Sequence, residues 1–104
     1  MNKPDRVMSL LGIAAKGRNV VSGSFAVEKA VKTGKAFLVI VSTEASDNTK
    51  KMFTNMCGFY GVPIRFYGTK EALGHTIGKQ MRADVAVTDG GLANSILKLL
   101  ETDK

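Results

Sequence analysis

A chain of 104 residues, 44% of them hydrophobic, has the size of one ordinary domain and is too apolar for a disordered tail. Lys and Arg number 15 against 9 Asp and Glu, a net charge of +6 that favours an anionic partner. One Cys excludes an internal disulfide framework, and the longest apolar run, Ala36 to Val41, is far too short to span a bilayer.

The pattern along the chain begins with a helix over Asp5 to Lys16. Val7, Leu10, Leu11 and Ala14 recur on one helical face, and Gly17 is a plausible stop. Asn19 to Ser22 reads as a short β-branched strand ending at Gly23. Ser24 is expected to cap a helix running to Thr33, with Val27, Ala30 and Val31 inward. Phe37 to Val41 is a strand apolar on both faces, as in sheets covered by helices on both sides.

Ser46 or Asp47 caps a long helix to about Tyr60, whose expected apolar stripe is Met52, Met56, Phe59 and Tyr60. Pro63 precedes a strand over Ile64 to Tyr67, and Thr69 caps a short helix over Lys70 to His75. Asp84 to Thr88 is a strand. Gly90 and Gly91 then turn the chain into a last helix, Leu92 to Leu100, with Leu92, Ile96 and Leu99 or Leu100 facing inward. Alternating helices and strands predict an α/β fold, a three-layer α/β/α sandwich on a short mixed sheet of about four strands. No linker divides the chain, so residues 1–104 read as a single domain. No charged segment followed by a long apolar run opens it, so a soluble, cytoplasmic protein is expected.

The residues do not assemble an enzyme. His75 and Cys57 are each the only one of their kind, so no metal-ligand spacing arises. Cys57 reads as a core residue and His75 as a surface or capping one. Gly74 to Lys79 resembles a phosphate loop only superficially: the glycines are too close, and Gln80 stands where Ser or Thr should hold magnesium. Asp89-Gly90-Gly91 fits an ordinary turn. No cofactor, metal or small-molecule substrate is expected.

Two segments carry more. In Ser22 to Lys29, Gly23 permits close backbone approach, and the helix N-terminus behind it favours a phosphate. Phe25 is able to stack on an unpaired base, and Lys29 lies one turn further along. The same residues also read as a turn, a core-edge ring and a solvated charge, and this segment alone leaves both readings open. In Lys79-Gln80-Met81-Arg82-Ala83, Met81 either packs on a splayed base between phosphate-binding cations or folds back onto the core.

Several longer frames narrow these choices: Gly23-x10-Gly34-Lys35-Ala36-x-Leu38-Val39-Ile40; Cys57 followed by Tyr60-Gly61-Val62-Pro63; Lys70-Glu71-x-Leu73-Gly74-x3-Gly78-Lys79; and Val85-Ala86-Val87-Thr88-Asp89 with Ala93. Together they resemble the ribosomal L7Ae family, in particular its bacterial ribosomal-protein-like members, over nearly the whole chain. The resemblance implies an α/β/α sandwich that binds RNA kink-turns or related internal loops without catalysis. It places Gly23 before the recognition helix and makes Lys29 an RNA-contacting lysine. It puts Glu44 at the polar loop after the long strand, and Met81, Arg82 and Ala83 in the loop that covers a flipped-out nucleotide. Many kink-turn readers have Asn-Glu after the glycine, where this chain has Phe25-Ala26. These side chains cannot make the hydrogen bonds that read sheared G·A pairs, which leaves shape and phosphate recognition.

The function expected is binding of structured RNA, ribosomal RNA in particular, within a ribonucleoprotein such as the ribosome. Lys29, Lys79 and Arg82 would neutralise phosphates, Gly23 and Ser24 would offer donors, and Phe25 and Met81 would pack on bases. The alternative is a protein–protein interaction module on the same sandwich, which would not need its lysines and arginine on one face. A small nucleotide-binding enzyme would need a polar pocket beside Gly23 or Gly90.

Overall fold

The computed structural model describes residues 5–102. Five helices and four strands alternate: α1 (Arg6–Lys16), β1 (Val20–Ser22), α2 (Ser24–Lys32), β2 (Leu38–Val41), α3 (Asp47–Tyr60), β3 (Ile64–Phe66), α4 (Lys70–Thr76), β4 (Asp84–Val87) and α5 (Gly90–Thr102). The sheet order is β1-β4-β2-β3. β4 is antiparallel to both of its neighbours, whereas β2 and β3 are parallel. The sheet is therefore mixed, as expected. β1, β2 and β3 all run one way, and β4 runs back between β1 and β2.

Strand alternation sorts the core into two faces. Leu38, Ile40, Val85 and Val87 pack against Val7, Leu11 and Ala14 of α1, Leu73 of α4, and Ala93 and Ile96 of α5. Val39, Val41 and Ala86 point the other way, onto Val27, Ala30 and Val31 of α2 and Phe53 and Cys57 of α3. This is the predicted three-layer sandwich. The inward residues of α1 and α2 match the expected faces.

Side chains close several helix ends as local chemistry requires. Asp5 accepts from Met8 N, Ser46 from Thr49 N, and Thr69 from Ala72 N. Three expectations need correction. Ser24 does not cap α2: Gly23 holds the cap position without a side-chain bond, and Ser24 is the first helical residue. The stripe of α3 lies one residue further along. Phe53 and Cys57 are fully buried, Met56 is half-buried, and Met52, Phe59 and Tyr60 are exposed. The last helix starts at Gly90 rather than Leu92, because the Asp89 carboxylate accepts from Leu92 N at 2.8 Å and draws both glycines into the first turn. Among the described residues, no helix is long and apolar enough to cross a membrane.

Candidate nucleic-acid interface

Strand direction brings the informative loops together. The carboxyl ends of β1, β2 and β3 and the start of β4 all lie at one end of the sheet. Gly23-Ser24-Phe25, Ser42-Thr43-Glu44, Gly68-Thr69-Lys70 and Met81-Arg82-Ala83 thus converge there, from positions up to sixty residues apart.

Hydrogen bonds join these loops into one surface. Gly23 N donates to Asp84 O at 3.2 Å, and Ser42 N to Ala83 O at 2.8 Å. Ser42 Oγ and Thr43 N both donate to Gly68 O, each at 3.0 Å. Lys70 N donates to Glu44 Oε1 at 3.0 Å, and Arg82 N to Lys70 O at 3.0 Å. The Arg82 guanidinium reaches Ser22 Oγ through Nε at 3.1 Å and the Met81 carbonyl through an Nη at 2.9 Å. Glu44 is thus a brace between two loops, with its carboxylate on the first amide of α4.

Apolar and cationic groups stand out from this framework. Phe25 is 84% exposed and Met81 59% exposed, so neither has folded back onto the core. Lys79 is exposed, and its amide donates to Gly74 O at 2.8 Å, which anchors the Met81 loop on α4. Lys29 is exposed one turn beyond Phe25, and the two line a shallow groove with Glu28, Lys32 and Thr33. Glu28 and Lys32 pair at 2.7 Å. The backbone at Gly23 adopts φ 90°, ψ 144°, a conformation closed to other residues at low cost. Nothing lies within 4 Å of the place a Cβ would occupy there, so the turn's outer side is open to a partner's close approach.

One residue at this end carried no signal in the chain. Asp84 heads β4 on the α2/α3 face and is 1% exposed. Its Oδ2 accepts from Ser24 Oγ at 2.9 Å, and Oδ1 has no partner among the described residues. Burial pushes this carboxyl above its ordinary range, against the opposing pull of the Ser24 hydroxyl and the Arg82 charge. The Ser24 proton is therefore already donated inward. Asp84 read as an ordinary strand start, since its partner lies sixty positions away.

Elsewhere the side chains stay apart. Cys57 lies buried under α3 and His75 is exposed on α4, which lie on opposite faces of the sheet, so they form no pair. Among the described residues no three His, Cys, Asp or Glu groups gather as metal ligands would.

Residues 5–97 match the model of the ribosomal protein L7Ae/L30e/S12e/Gadd45 family. The chain belongs to this family. Its relatives include the RNA-binding protein YlxQ of Bacillus subtilis (strain 168), 44% identical over 92 residues, which covers 88% of this chain and 92% of that protein. The RNA-binding protein YlxQ of Enterococcus faecium is 28% identical over 103 residues, with 97% and 99% covered. Among solved structures, a Bacillus halodurans protein of unknown function superposes with a TM-score of 0.90 at 38% identity, covering 92% of this chain and 97% of that one. The Giardia lamblia 15.5kD RNA binding protein superposes with a TM-score of 0.80 at 23% identity, covering 96% and 92%, and shares the fold.

Proposed function

We propose that this protein is a non-enzymatic binder of structured RNA, acting in the cytoplasm on ribosomal RNA that carries a kink-turn or a related internal loop. The observation that carries this reading is the convergent end of the sheet. There the loops that display Phe25 and Met81, both exposed, are tied together by hydrogen bonds, with Lys29 one turn along α2 from Phe25 and Lys79 and Arg82 close to Met81 in the chain. Exposed rings and methionines offer stacking surfaces to unpaired bases, while cations hold the backbone. The RNA-binding relatives support the same partner class.

Each group has a role in this reading. Lys29, Lys79 and Arg82 neutralise phosphates. Gly23 lets the backbone approach, but its amide is held by the Asp84 carbonyl and the Ser24 hydroxyl by the Asp84 carboxyl, so the donors expected of these two groups are turned inward. Phe25 and Met81 pack on bases, Ala83 ties the Met81 loop to the end of β2 through its carbonyl on Ser42 N, and Glu44 holds the same loop through Lys70. Since Phe25-Ala26 cannot bond to base edges, shape and backbone geometry carry the recognition.

The test is a titration of a kink-turn RNA and an unkinked duplex over a salt series. Tighter binding of the kinked RNA is expected, with a salt slope of about 0.7–0.9 per neutralised phosphate. Equal, weak binding to both would overturn the specific reading.

A further inference from the structure

The N-terminus of a helix ordinarily favours an anion, since its first amides lack partners within the helix. On that rule alone, the start of α2 would take an RNA phosphate. The structure places a buried carboxyl group there instead. Asp84 stands against the first residue of α2, with Oδ2 on the Ser24 hydroxyl at 2.9 Å and its main-chain oxygen on Gly23 N. The residue is 1% exposed, and Oδ1 finds no hydrogen bond among the described residues. The charge of Arg82 acts on the carboxyl in the opposite sense to this burial, and the Nε and one Nη of Arg82 are already engaged by Ser22 and Met81.

We propose that Asp84 is a specificity-determining residue, whose carboxylate bars an RNA phosphate from the N-terminus of α2 and leaves that end of the site to a base edge bearing N–H donors. The inference rests on the RNA reading above and deepens it. A carboxylate buried there is poorly screened by salt, so its repulsion of a phosphate at the helix end persists where surface charges fade. A base amino or imino edge meets no such repulsion, and the Ser24 oxygen, having donated its proton inward, turns a lone pair outward as its acceptor. Asp84 thus offsets the base-reading side chains that Phe25 and Ala26 lack. It selects against the plain phosphate surface that any duplex presents.

Asp84→Asn is the direct test, because the amide oxygen still accepts from Ser24 while the charge is gone. Asp84→Ser is a second neutral variant of different size, should the first fold poorly. Both are titrated beside the wild-type protein with a kink-turn RNA and a duplex of equal length over a salt series, after circular dichroism confirms the fold. The neutral variants are expected to bind the duplex about tenfold more tightly, the effect of losing a repulsion of about 1.4 kcal/mol. Their salt slope should steepen by about 0.7–0.9, one added phosphate contact. Their preference for the kinked RNA should narrow accordingly. Folded variants that keep the wild-type slope and preference overturn this inference alone. A wild-type protein that binds neither RNA overturns the reading beneath it as well.

Discussion

The main-chain oxygen of Gln80 lies in the space that a Cβ on Gly74 would fill. Helix α4 and the loop that displays Met81 are therefore packed backbone to backbone, and only glycine permits it. Gly74→Ala must push the loop outward. It is expected to lower stability by about 1–3 kcal/mol, the usual cost of overpacking. It should also weaken binding of kink-turn RNA, since Met81 and Arg82 move with the loop. Urea unfolding and an RNA titration on the same preparation check both parts, and an alanine variant of full stability would contradict the contact.

Lys29 and Met81 should fail in different ways. Lys29→Ala removes one phosphate contact, so binding to every RNA weakens and the salt slope falls by about 0.7–0.9. Met81→Asp puts a charge where a base should rest, and it should hurt the kinked RNA far more than the duplex. The opposite pattern would show that the two roles are exchanged.

Phe53 and Met52 are neighbours on α3 with opposite fates. Phe53 is fully buried between α3 and the sheet, and Met52 is 37% exposed. Phe53→Ala is expected to cost about 3–5 kcal/mol, and Met52→Ala to stay within about 0.5–1 kcal/mol. Similar midpoints for the two variants would mean that the helix is rotated from the phase described.

Burial pushes the Cys57 thiol up to about 11. At neutral pH almost no thiolate is present, and the sulfur is out of reach. A thiol reagent should label the native protein only as fast as it unfolds, and at once in denaturant. Rapid labelling of the folded protein would place Cys57 at the surface.

Asp84 links stability to pH. Its carboxyl lies above the ordinary value of 3.8 in the folded protein, chiefly because burial penalises the charge. The folded state therefore holds this proton more tightly than the unfolded state does. Its contribution is fully present below the unfolded value and is lost as pH rises through the folded one. Asp84→Asn has no charge to bury, so its stability relative to wild type should rise across that window and level off above it. Thermal unfolding of both proteins from acid to neutral pH reads the difference, and a constant offset would be the wrong result.

Much of this was legible in the chain because the signals were local. Val39 and Ile40 within an all-apolar run required a sheet covered on both faces, and the two core faces divide at those residues. Gly23 and Met81 stood out because an open turn and an apolar side chain among charges have few ordinary explanations. The phase of α3 was not legible: Met52, Met56, Phe59 and Tyr60 form as good a stripe as Phe53 and Cys57, and helical periodicity alone cannot choose between adjacent faces. The groove between α2 and the sheet chooses. The pairings of Asp84 with Ser24 and of Arg82 with Ser22 escaped notice for a different reason. They form only once β4 lies between β1 and β2, and no local pattern announces a neighbour sixty residues away.

That placement of β4 also sets a timetable. β1 has no other strand beside it, and β2 meets β1 only through β4. As the chain leaves its site of synthesis, the first eighty residues supply β1, α2 and the β2–β3 pair, yet not the Asp84 contacts that hold the Gly23 turn. Residues 82–87 complete the surface, joining Arg82 and Asp84 to Ser22 and Ser24, each sixty positions earlier. Contacts of such long sequence separation form slowly and together. Without β4, the Gly23 turn and the Met81 loop are two separate segments, and it is the last strand that makes them one surface.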